Sequence, residues 1–255
     1  MSNDQQIEGL SLEGKTAVVT GAAGGIGSVI AQDLARLGAQ VVVCDIRVTS
    51  AYEVASNLPN ASAVEIDLGD PGSVASAIGV IKENVGSVDV LVNNAGWDQV
   101  GPFLESDPAV WEKLVAINLK GPIQLTHGLL PDMVEAGWGR LIFISSDAAR
   151  VGSSGEAVYS ACKGGIMAFA KTLARETARS GITSNTVCPG PSDTPLLREI
   201  SEGNPKLVES LKRAIPIGRL GEPKDISGLV SYLCSPRAAY ITGQTISVSG
   251  GLTMA

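Results

Sequence analysis

The sequence predicts a single α/β domain, built on a doubly wound parallel β-sheet with helices on both faces. Short and almost wholly apolar runs alternate with helical segments along the chain. Such runs are typical of parallel strands that are buried on both faces. The 30 glycines and the 44% hydrophobic content of the 255 residues suit a compact chain with many tight turns. We expect an N-terminal arm over residues 1–13 and one dinucleotide-binding and catalytic domain over residues 14–255.

The first half of the chain predicts four strands. The first, Lys15–Thr20, breaks into a glycine-rich turn, and a helix with an apolar face follows as far as Gly38. A later helix begins at Pro71, with Asp70 as its candidate N-cap. The other strands of this half are predicted at Gln40–Cys44, Ala61–Leu68 and Val88–Val92.

The second half predicts three more strands and a variable segment. A long helix is expected over residues 108–136, with Pro122 as the candidate position of a kink. Residues 191–220 are rich in Pro, Gly and charge, and we interpret residues 191–215 as a part-helical lid over the substrate. Another helix is predicted at Asp225–Leu233. The strands are predicted at Arg140–Ser146, Ile182–Cys188 and Thr245–Val248.

Composition excludes several classes of function. The net charge of −7 disfavours nucleic acid and anionic membranes as partners, since both attract a basic surface. The single histidine, His127, lies in a helical pattern, so a Ser-His-Asp hydrolase or a histidine-rich metal site is hard to build, and we expect no metal. The four widely separated cysteines contain no CxxC pair, and no apolar run is long enough to span a membrane. We therefore expect a cytoplasmic protein.

Residues suited to binding follow most of the predicted strands. In open α/β sheets, ligands bind outside the carboxyl ends of the strands. Each of these positions also suits an ordinary turn, because Gly, Asn and Asp favour turns. Six such turns on one edge of a sheet favour a binding site instead. In chain order they contain Gly21–Gly27, Asp45, Asp67, Asn93–Gly96, Ser146 and Pro189–Thr194.

The glycine-rich turn before the first helix favours a dinucleotide. Glycines allow the backbone to approach a pyrophosphate at a helix N-terminus, where free N–H groups and the helix dipole attract anions. Asp45 follows the second strand, about twenty residues after Gly21. A carboxylate there accepts hydrogen bonds from ribose hydroxyls and repels a 2′-phosphate, which favours NAD over NADP. Arg47, two residues further on, acts against this preference.

Tyr159 and Lys163 lie four residues apart, so in a helix their side chains leave the same face. Ser146 ends a predicted strand shortly before them, and the three groups can converge on one polar spot. A free tyrosine has a pKa near 10, and a lysine cation one turn away favours the phenolate. The same spacing also fits a surface helix with an incidental Tyr and Lys. Taken alone, these residues leave both interpretations open.

The full set of motifs resembles the short-chain dehydrogenase/reductase family, from about Leu12 to Ala255. The resemblance is specific because the motifs recur in order. They are Thr20-Gly21-x-x-x-Gly25-Ile26-Gly27, Asp67-Leu68, Asn93-Asn94-Ala95-Gly96, Asn118, Ser146, Tyr159-x-x-x-Lys163 and Pro189-Gly190-x-x-x-Thr194. The resemblance implies a Rossmann-type sheet of seven strands in the order 3-2-1-4-5-6-7, and a homotetramer.

The resemblance also implies roles for single residues. Tyr159 would be the general acid/base, Ser146 would hold the substrate oxygen, and Lys163 would bind the nicotinamide ribose and lower the pKa of Tyr159. Asn118 would hold a water that links Lys163 to solvent. The implied cofactor-binding residues are Gly21, Gly25, Ile26, Gly27, Asp45, Asp67, Leu68, Asn94, Ala95, Gly96, Tyr159, Lys163, Pro189, Gly190 and Thr194. The implied reaction interconverts a small-molecule secondary alcohol and a ketone with NAD.

The substrate is where the sequence is least informative. We expect it to contact Trp97, Ser146, Asp147, Ser153 and Tyr159. Residues 93–97, 146–165, 187–196 and 241–255 resemble 2-hydroxycyclohexanecarboxyl-CoA dehydrogenases of aromatic degradation, which suggests a ring hydroxyl beta to a thioester. Cations that could meet CoA phosphates are interleaved with glutamates; they are Arg150, Arg198, Lys206, Lys212 and Arg213.

Two alternatives stay open at this point. The first is a dehydrogenase of free aryl or cyclic secondary alcohols, such as a 1-arylethanol. The second belongs to another class, a catalytically silent NAD-binding sensor or scaffold on the same fold. An intact set of Asn118, Ser146, Tyr159 and Lys163 favours an enzyme over the silent protein.

Overall fold

A computed structural model of the chain describes residues 9–202 and 205–254. It contains a seven-stranded sheet in the order β3-β2-β1-β4-β5-β6-β7, in which every neighbouring pair is parallel. This confirms the predicted fold class and strand order. The strands are β1 Thr16–Thr20, β2 Gln40–Asp45, β3 Ala61–Glu65, β4 Val90–Asn93, β5 Gly139–Ile144, β6 Ile182–Pro189 and β7 Thr245–Val248.

Helices connect the strands and cover both faces of the sheet. Their bounds are α1 Gly25–Arg36, α2 Val48–Ser56, α3 Pro71–Val85, α4 Pro108–Val115, α5 Gly121–Ala136, α6 Ala148–Val151, α7 Ala157–Thr177, α8 Pro195–Ile200, α9 Pro205–Ala214 and α10 Pro223–Cys234. The helix that begins at Pro71 is capped as predicted, because the Asp70 carboxylate accepts from the N–H of Gly72 over 2.9 Å. The helices α2 and α6 were not predicted from the sequence.

The core has two layers, one on each side of the sheet. Val41 and Val43 of β2 pack with α1 and α10, whereas Val42 and Cys44 of the same strand pack with α3, α5 and α7. Successive side chains of a strand point to opposite faces, so a strand covered on both sides must be apolar throughout. This is the physical reason for the uninterrupted apolar runs in the sequence.

Two predicted strands end earlier than expected because polar side chains close turns there. After β3, the Asp67 carboxylate accepts from the N–H of Gly69 over 2.7 Å, and the Ser73 hydroxyl accepts from the N–H of Asp67 over 2.9 Å. After β5, the Ser146 hydroxyl accepts from the N–H of Ala148 over 3.1 Å at the start of α6. These side-chain oxygens bind backbone N–H groups that would otherwise bond to a neighbouring strand, so the strands end there.

The long helix over residues 108–136 is interrupted, but before Pro122. A π-helical turn over Ala116–Lys120 separates α4 from α5. Pro122 directly follows this π turn, and since it has no N–H to donate to the preceding turn, its position agrees with an interruption of the regular helix here. The interruption places the buried Asn118 in the π turn, and π turns are often found at functional sites.

The predicted N-terminal arm is described only from residue 9, and residues 1–8 lie outside the described part. Leu12 is fully buried, and its N–H donates to the carbonyl of Leu37 over 2.7 Å. The end of the arm is therefore joined to the body of the domain. All four cysteines are buried free thiols. Over residues 9–202 and 205–254, no helix has the length and apolar character needed to cross a membrane.

Candidate active site

A cleft of about 410 Å³ opens beyond the carboxyl ends of β1, β2, β3 and β4. We call it the glycine cleft. Eleven residues predicted to bind cofactor or substrate line it: Gly21, Gly25, Ile26, Asp45, Asp67, Leu68, Asn94, Ala95, Gly96, Trp97 and Thr194. Sequence analysis assigned no such role to Gly24, Ile46, Ile66, Lys113, Ile117 and Pro195, which also line it. The cleft thus brings together residues from five of the six predicted turns.

The glycines of this cleft are required by close backbone contacts. Gly21 has φ +64°, and a Cβ there would lie 2.8 Å from the Cα of Ala95. Gly27 does not line the cleft; a Cβ at Gly27 would lie 2.5 Å from Nδ2 of Asn94. That amide donates to the carbonyl oxygens of Thr20 over 2.9 Å and Gly21 over 3.2 Å, which fixes the turn. No side chain caps α1 at Gly24, so its first N–H groups are free to bind an anion.

Asp45 ends β2 at one side of the cleft and is 5% exposed. Its carboxylate accepts from the N–H groups of Ala23 over 3.0 Å and Arg47 over 2.9 Å. The Arg47 guanidinium lies 3.5 Å from the same carboxylate, with 62% of its side chain exposed. The carboxylate of Asp45 is therefore held in place by backbone hydrogen bonds, and the exposed cation of Arg47 lies beside it.

Tyr159 and Lys163 lie one turn apart on α7, as predicted, and this helix is fastened to the end of β5. The Ser145 hydroxyl donates to the carbonyl of Lys163 over 2.9 Å, and Nζ of Lys163 donates to the carbonyl of Ile144 over 3.0 Å. Nζ lies 5.7 Å from the centre of the Tyr159 ring. The Ser146 hydroxyl lies near enough to the Tyr159 phenol to lower its pKa. The fold therefore brings Ser146, Tyr159 and Lys163 together.

Asn118 supports this site from the π turn. Its Nδ2 donates to the carbonyls of Trp97 over 2.7 Å and Leu114 over 3.1 Å, and its Oδ1 accepts from the N–H of Trp97 over 3.2 Å. A Cβ at Gly96 would lie 2.9 Å from this Oδ1 and 3.1 Å from Nζ of Lys163. The side-chain amide of Asn118 is thus occupied in holding the Gly96–Trp97 turn against Lys163.

The pKa values at the site differ from the sequence-based expectation. Burial, followed by the charges of Asp98 and Glu156, raises the pKa of the Tyr159 phenol above its ordinary value of 10, and the Ser146 hydroxyl lowers it. Burial lowers the pKa of Lys163 from 10.5 to about 8. The site without a ligand therefore favours a neutral phenol, and the lowering of the Tyr159 pKa by Lys163 stays a prediction.

A second cavity of about 230 Å³ is lined by Tyr159 and by residues that follow Trp97 in the chain. We call it the tyrosine cavity. Its apolar walls include Phe103 and Trp111, whose rings stack with centres 5.4 Å apart. Asp98 and Glu156 also line it, and sequence analysis assigned no role to Asp98. The signal was present in the sequence, because Asp98 follows Trp97 directly and Glu156 stands three residues before Tyr159.

Of the five residues predicted to contact substrate, Tyr159 lines the tyrosine cavity, whereas Trp97, Ser146, Asp147 and Ser153 do not. Trp97 faces the glycine cleft, where Nζ of Lys113 lies 3.9 Å from the centre of its ring. The buried Asp147 carboxylate accepts a hydrogen bond from the Ser247 hydroxyl of β7. Ser153 is exposed, and its carbonyl accepts from the N–H of Glu156 over 3.2 Å.

The last predicted motif is only partly at the glycine cleft. Thr194 lines the cleft and caps α8, since its hydroxyl accepts from the N–H of Leu197 over 3.3 Å. Pro189 and Gly190 end β6, where the N–H of Gly190 donates to the carbonyl of Val248 over 3.0 Å. The predicted lid over residues 191–215 contains α8 and α9, with residues 203 and 204 outside the described part. Thr194 and Pro195 are the lid residues that line the glycine cleft.

Comparison with known proteins agrees with this architecture. The family model adh_short_C2, described as Enoyl-(Acyl carrier protein) reductase, matches residues 21–253. The chain belongs to the short-chain dehydrogenase/reductase family, whose members use a nicotinamide cofactor, and it is an oxidoreductase acting on CH–OH or keto groups.

Individual relatives have varied substrates. The chain is 40% identical to 2,3-dihydroxy-2,3-dihydro-p-cumate dehydrogenase of Pseudomonas putida over 250 residues, covering 96% of each chain. It is 36% identical to the 3-oxoacyl-(acyl-carrier-protein) reductase FabG of Vibrio cholerae over 246 residues, covering 96% of this chain and all of the relative. Among solved structures, gluconate 5-dehydrogenase of Burkholderia cenocepacia in complex with NADP and tartrate has a TM-score of 0.90 and 30% identity, covering 96% of this chain and 98% of that one.

Proposed function

We propose that this protein is an NAD-dependent oxidoreductase that interconverts a secondary alcohol on a ring and the corresponding ketone. The observation that carries the proposal is the position of Tyr159. Its phenol lines the tyrosine cavity and is influenced by the Ser146 hydroxyl. Tyr159 also lies one helical turn from Lys163, whose ammonium is beside Gly96 of the glycine cleft. A substrate in the tyrosine cavity therefore meets a proton-transfer group next to the bed of a dinucleotide.

The glycine cleft fits a dinucleotide, because its free helix N-terminus and its close-packed glycines suit a pyrophosphate. Asp45, Asp67, Asn94 and Thr194 would hold the bound cofactor, which supplies the hydride acceptor or donor.

The proton chemistry belongs to the chain's own residues. In oxidation, Tyr159 takes the proton of the carbinol hydroxyl while Ser146 donates a hydrogen bond to the carbinol oxygen. The ammonium of Lys163 favours the phenolate that this step requires, against the burial that favours the neutral phenol. In reduction, Tyr159 returns a proton to the ketone oxygen. Such general acid/base catalysis contributes about 10²–10⁴-fold in rate.

Asp45 supports NAD as the cofactor. Its buried carboxylate is held by two backbone N–H groups, so it cannot swing away from an incoming 2′-phosphate. Arg47 is the only cation bonded to Asp45 among the described residues, and its exposed side chain attracts such a phosphate. The gluconate 5-dehydrogenase structure contains NADP, so a direct comparison of the two cofactors decides this point.

The ring substrate is supported by the apolar walls of the tyrosine cavity and by the sequence stretches that resemble 2-hydroxycyclohexanecarboxyl-CoA dehydrogenases. The relative from Pseudomonas putida is also named for a ring alcohol. The thioester is our leading substrate, and a free aryl or cyclic alcohol such as a 1-arylethanol is the alternative. An observation favours the alternative: several cations proposed for CoA already have partners, Arg198 with Asp193, Lys212 with Glu209 and Arg150 with Ser247.

The test is a panel of substrates assayed with NAD⁺ and with NADP⁺, in which the absorbance of the reduced cofactor measures turnover. We expect turnover of cyclic hydroxyacyl-CoA thioesters, or of free cyclic and aryl alcohols, with NAD⁺ preferred. Cofactor binding without turnover of any secondary alcohol would support the silent sensor instead. Preferred use of NADP⁺ would contradict the argument from Asp45.

We also propose a cytoplasmic homotetramer, as the family resemblance implies. Light scattering after size-exclusion chromatography measures the mass in solution. A mass near four times 26.2 kDa is expected, and a monomer would contradict the proposal.

A further inference from the structure

The tyrosine cavity contains a pair of carboxyl groups from distant parts of the chain. Asp98 follows the Asn93–Gly96 turn, and Glu156 precedes α7. The two segments are joined, because the N–H of Gly101 donates to the carbonyl of Gly155 over 3.0 Å. They also pack tightly, since a Cβ at Gly155 would lie 2.9 Å from Cγ1 of Val100. The fold therefore holds Asp98 and Glu156 together.

Asp98 is unusual for a carboxylate, since it is only 8% exposed. Its Oδ1 accepts from the N–H of Gln99 over 2.8 Å, whereas its Oδ2 is buried and receives no hydrogen bond from any described residue. Burial and the neighbouring Glu156 raise the pKa of Asp98 to about 7, while the backbone N–H of Gln99 and the charge of Lys163 act in the opposite direction. A protonated carboxyl group can donate one hydrogen bond and still accept others. Around neutral pH the Asp98 carboxyl group is therefore present with and without its proton.

The charges that face this pair are mostly negative. Glu105 and Asp107 also line the cavity, and no Lys, Arg or His stands among its described lining residues. The Tyr159 phenol completes the polar part of the wall, and Lys163 lies behind it on α7. The rest of the wall is apolar, with Phe103 and Trp111 as its largest members. A negative charge on a substrate would therefore find no cation to pair with among the described residues that line this cavity.

We propose that Asp98 and Glu156 recognise a neutral oxygen group, a hydroxyl or a carbonyl, on the substrate close to the carbinol carbon, and that they exclude a carboxylate from that position. This inference rests on the proposed function and narrows its substrate class. A protonated Asp98 beside the Glu156 carboxylate offers both a donor and acceptors. It can therefore donate to the carbonyl of an ester or thioester, and it can accept from the second hydroxyl of a diol.

A series on one ring skeleton tests the proposal. The substrates are cyclohexanol, cyclohexane-1,2-diol, 2-hydroxycyclohexanecarboxylate and its methyl ester, compared by kcat/KM from pH 6 to pH 9. We expect the carboxylate to be the poorest, and its kcat/KM relative to cyclohexanol to fall about tenfold as the pH rises through about 7 and Asp98 ionises. If the kcat/KM of the ester exceeds that of cyclohexanol at low pH and loses this excess over the same range, the group recognised is a carbonyl. If the kcat/KM of the diol exceeds that of cyclohexanol over the whole range, the group recognised is a hydroxyl.

Matched variants separate the pair from a general effect of negative charge. Asp98→Asn keeps the shape and has no titrating group, so the relative kcat/KM of the carboxylate should become independent of pH and rise about tenfold at pH 8. Glu105→Gln removes another carboxylate from the same cavity and should leave the pH dependence in place. A wild-type ratio that does not change with pH, or one that still changes in Asp98→Asn, would overturn the proposal.

A spectroscopic measurement tests the assignment of Asp98 independently of enzyme activity. The carbonyl stretch of the protonated Asp98 carboxyl group is followed by infrared difference spectroscopy between the wild type and Asp98→Asn. Because burial and Glu156 raise the pKa of Asp98 to about 7, this band should be present at pH 6 and be lost as the pH rises through about 7, and its absence at pH 6 would contradict the assignment. If every ring alcohol failed with either cofactor, the proposed function would fail and this assignment with it. Turnover without the pH effect would refute the assignment alone.

Discussion

Nζ of Lys163 donates a hydrogen bond over 3.0 Å to the backbone carbonyl of Ile144, the last residue of β5. The bond places the ammonium between the sheet edge and the Tyr159 ring. Since Lys163 is 4% exposed, its charge acts on its neighbours with little screening by water. The position of Lys163 is therefore fixed by the strand and not only by its own helix.

Lys163→Met should lower kcat by about 10²-fold or more, because it removes the cation that favours the Tyr159 phenolate. The wild type should also lose part of this effect above pH about 8, where Lys163 loses its proton. Lys171→Met is the control, since Lys171 is exposed on the same helix. Steady-state kinetics of both variants from pH 6 to pH 10 measure the effect. If kcat of Lys163→Met equalled kcat of Lys171→Met, the role of Lys163 would be contradicted.

Tyr159→Phe should retain cofactor binding and lose about 10²–10⁴-fold in turnover, because the ring remains and the proton-transfer group is lost. Titration of protein fluorescence with NAD⁺ measures binding, and NADH absorbance measures turnover. Tyr240→Phe alters a fully exposed tyrosine and should behave as the wild type. Turnover near the wild-type rate in Tyr159→Phe would remove Tyr159 as the acid/base.

Gly96→Ala should reduce activity about tenfold or more while the protein stays folded. The added methyl group would lie 2.9 Å from Oδ1 of Asn118 and 3.1 Å from Nζ of Lys163, and a shift of about 1 Å at a catalytic group can cost 10²-fold in rate. Gly79→Ala is the control, because nothing lies within 4 Å of its added Cβ on α3. Circular dichroism verifies folding, and unchanged kinetics in Gly96→Ala would show that the packing is unimportant.

The choice of cofactor should depend on Asp45 and Arg47. Asp45→Asn should narrow the preference for NAD⁺ over NADP⁺ about tenfold, because it removes the charge that repels a 2′-phosphate and keeps the side-chain shape. Arg47→Ala should widen the preference, since it removes an exposed cation. The ratio of kcat/KM for the two cofactors is the measurement. A wider preference for NAD⁺ in Asp45→Asn, or a narrower one in Arg47→Ala, would contradict these roles.

The buried Asp98 should make stability depend on pH. The folded protein holds a proton on Asp98 up to pH about 7, whereas the unfolded chain loses it near pH 3.8, so this group's contribution to stability falls as the pH rises between those values. Asp98→Asn should therefore raise the melting temperature more at pH 8 than at pH 5, by about 3 °C or more. Calorimetry at both pH values measures this, and an equal change at both would contradict the raised pKa.

The sequence by itself determined the fold and most of the glycine cleft. Strands and helices follow from local periodicity, and the cofactor residues stand in turns directly after strands, so that their order along the chain fixes their place on the sheet edge. Thr245–Val248 was predicted with the bounds that the structure has. Motif spacing also gave Ser146, Tyr159 and Lys163, because a strand end and one helical turn define their separation.

The tertiary structure decided which side chains meet across distant segments. Asp98 and Glu156 share a cavity because the Gly101–Gly155 hydrogen bond joins two loops that no local pattern relates. The Asp147 carboxylate bonds with Ser247 of β7 and does not line the tyrosine cavity, since β7 pairs with β6 beside it. The raised pKa of Tyr159 likewise depends on burial that packing alone creates. Periodicity acts over a few residues, whereas contacts and desolvation depend on the whole fold.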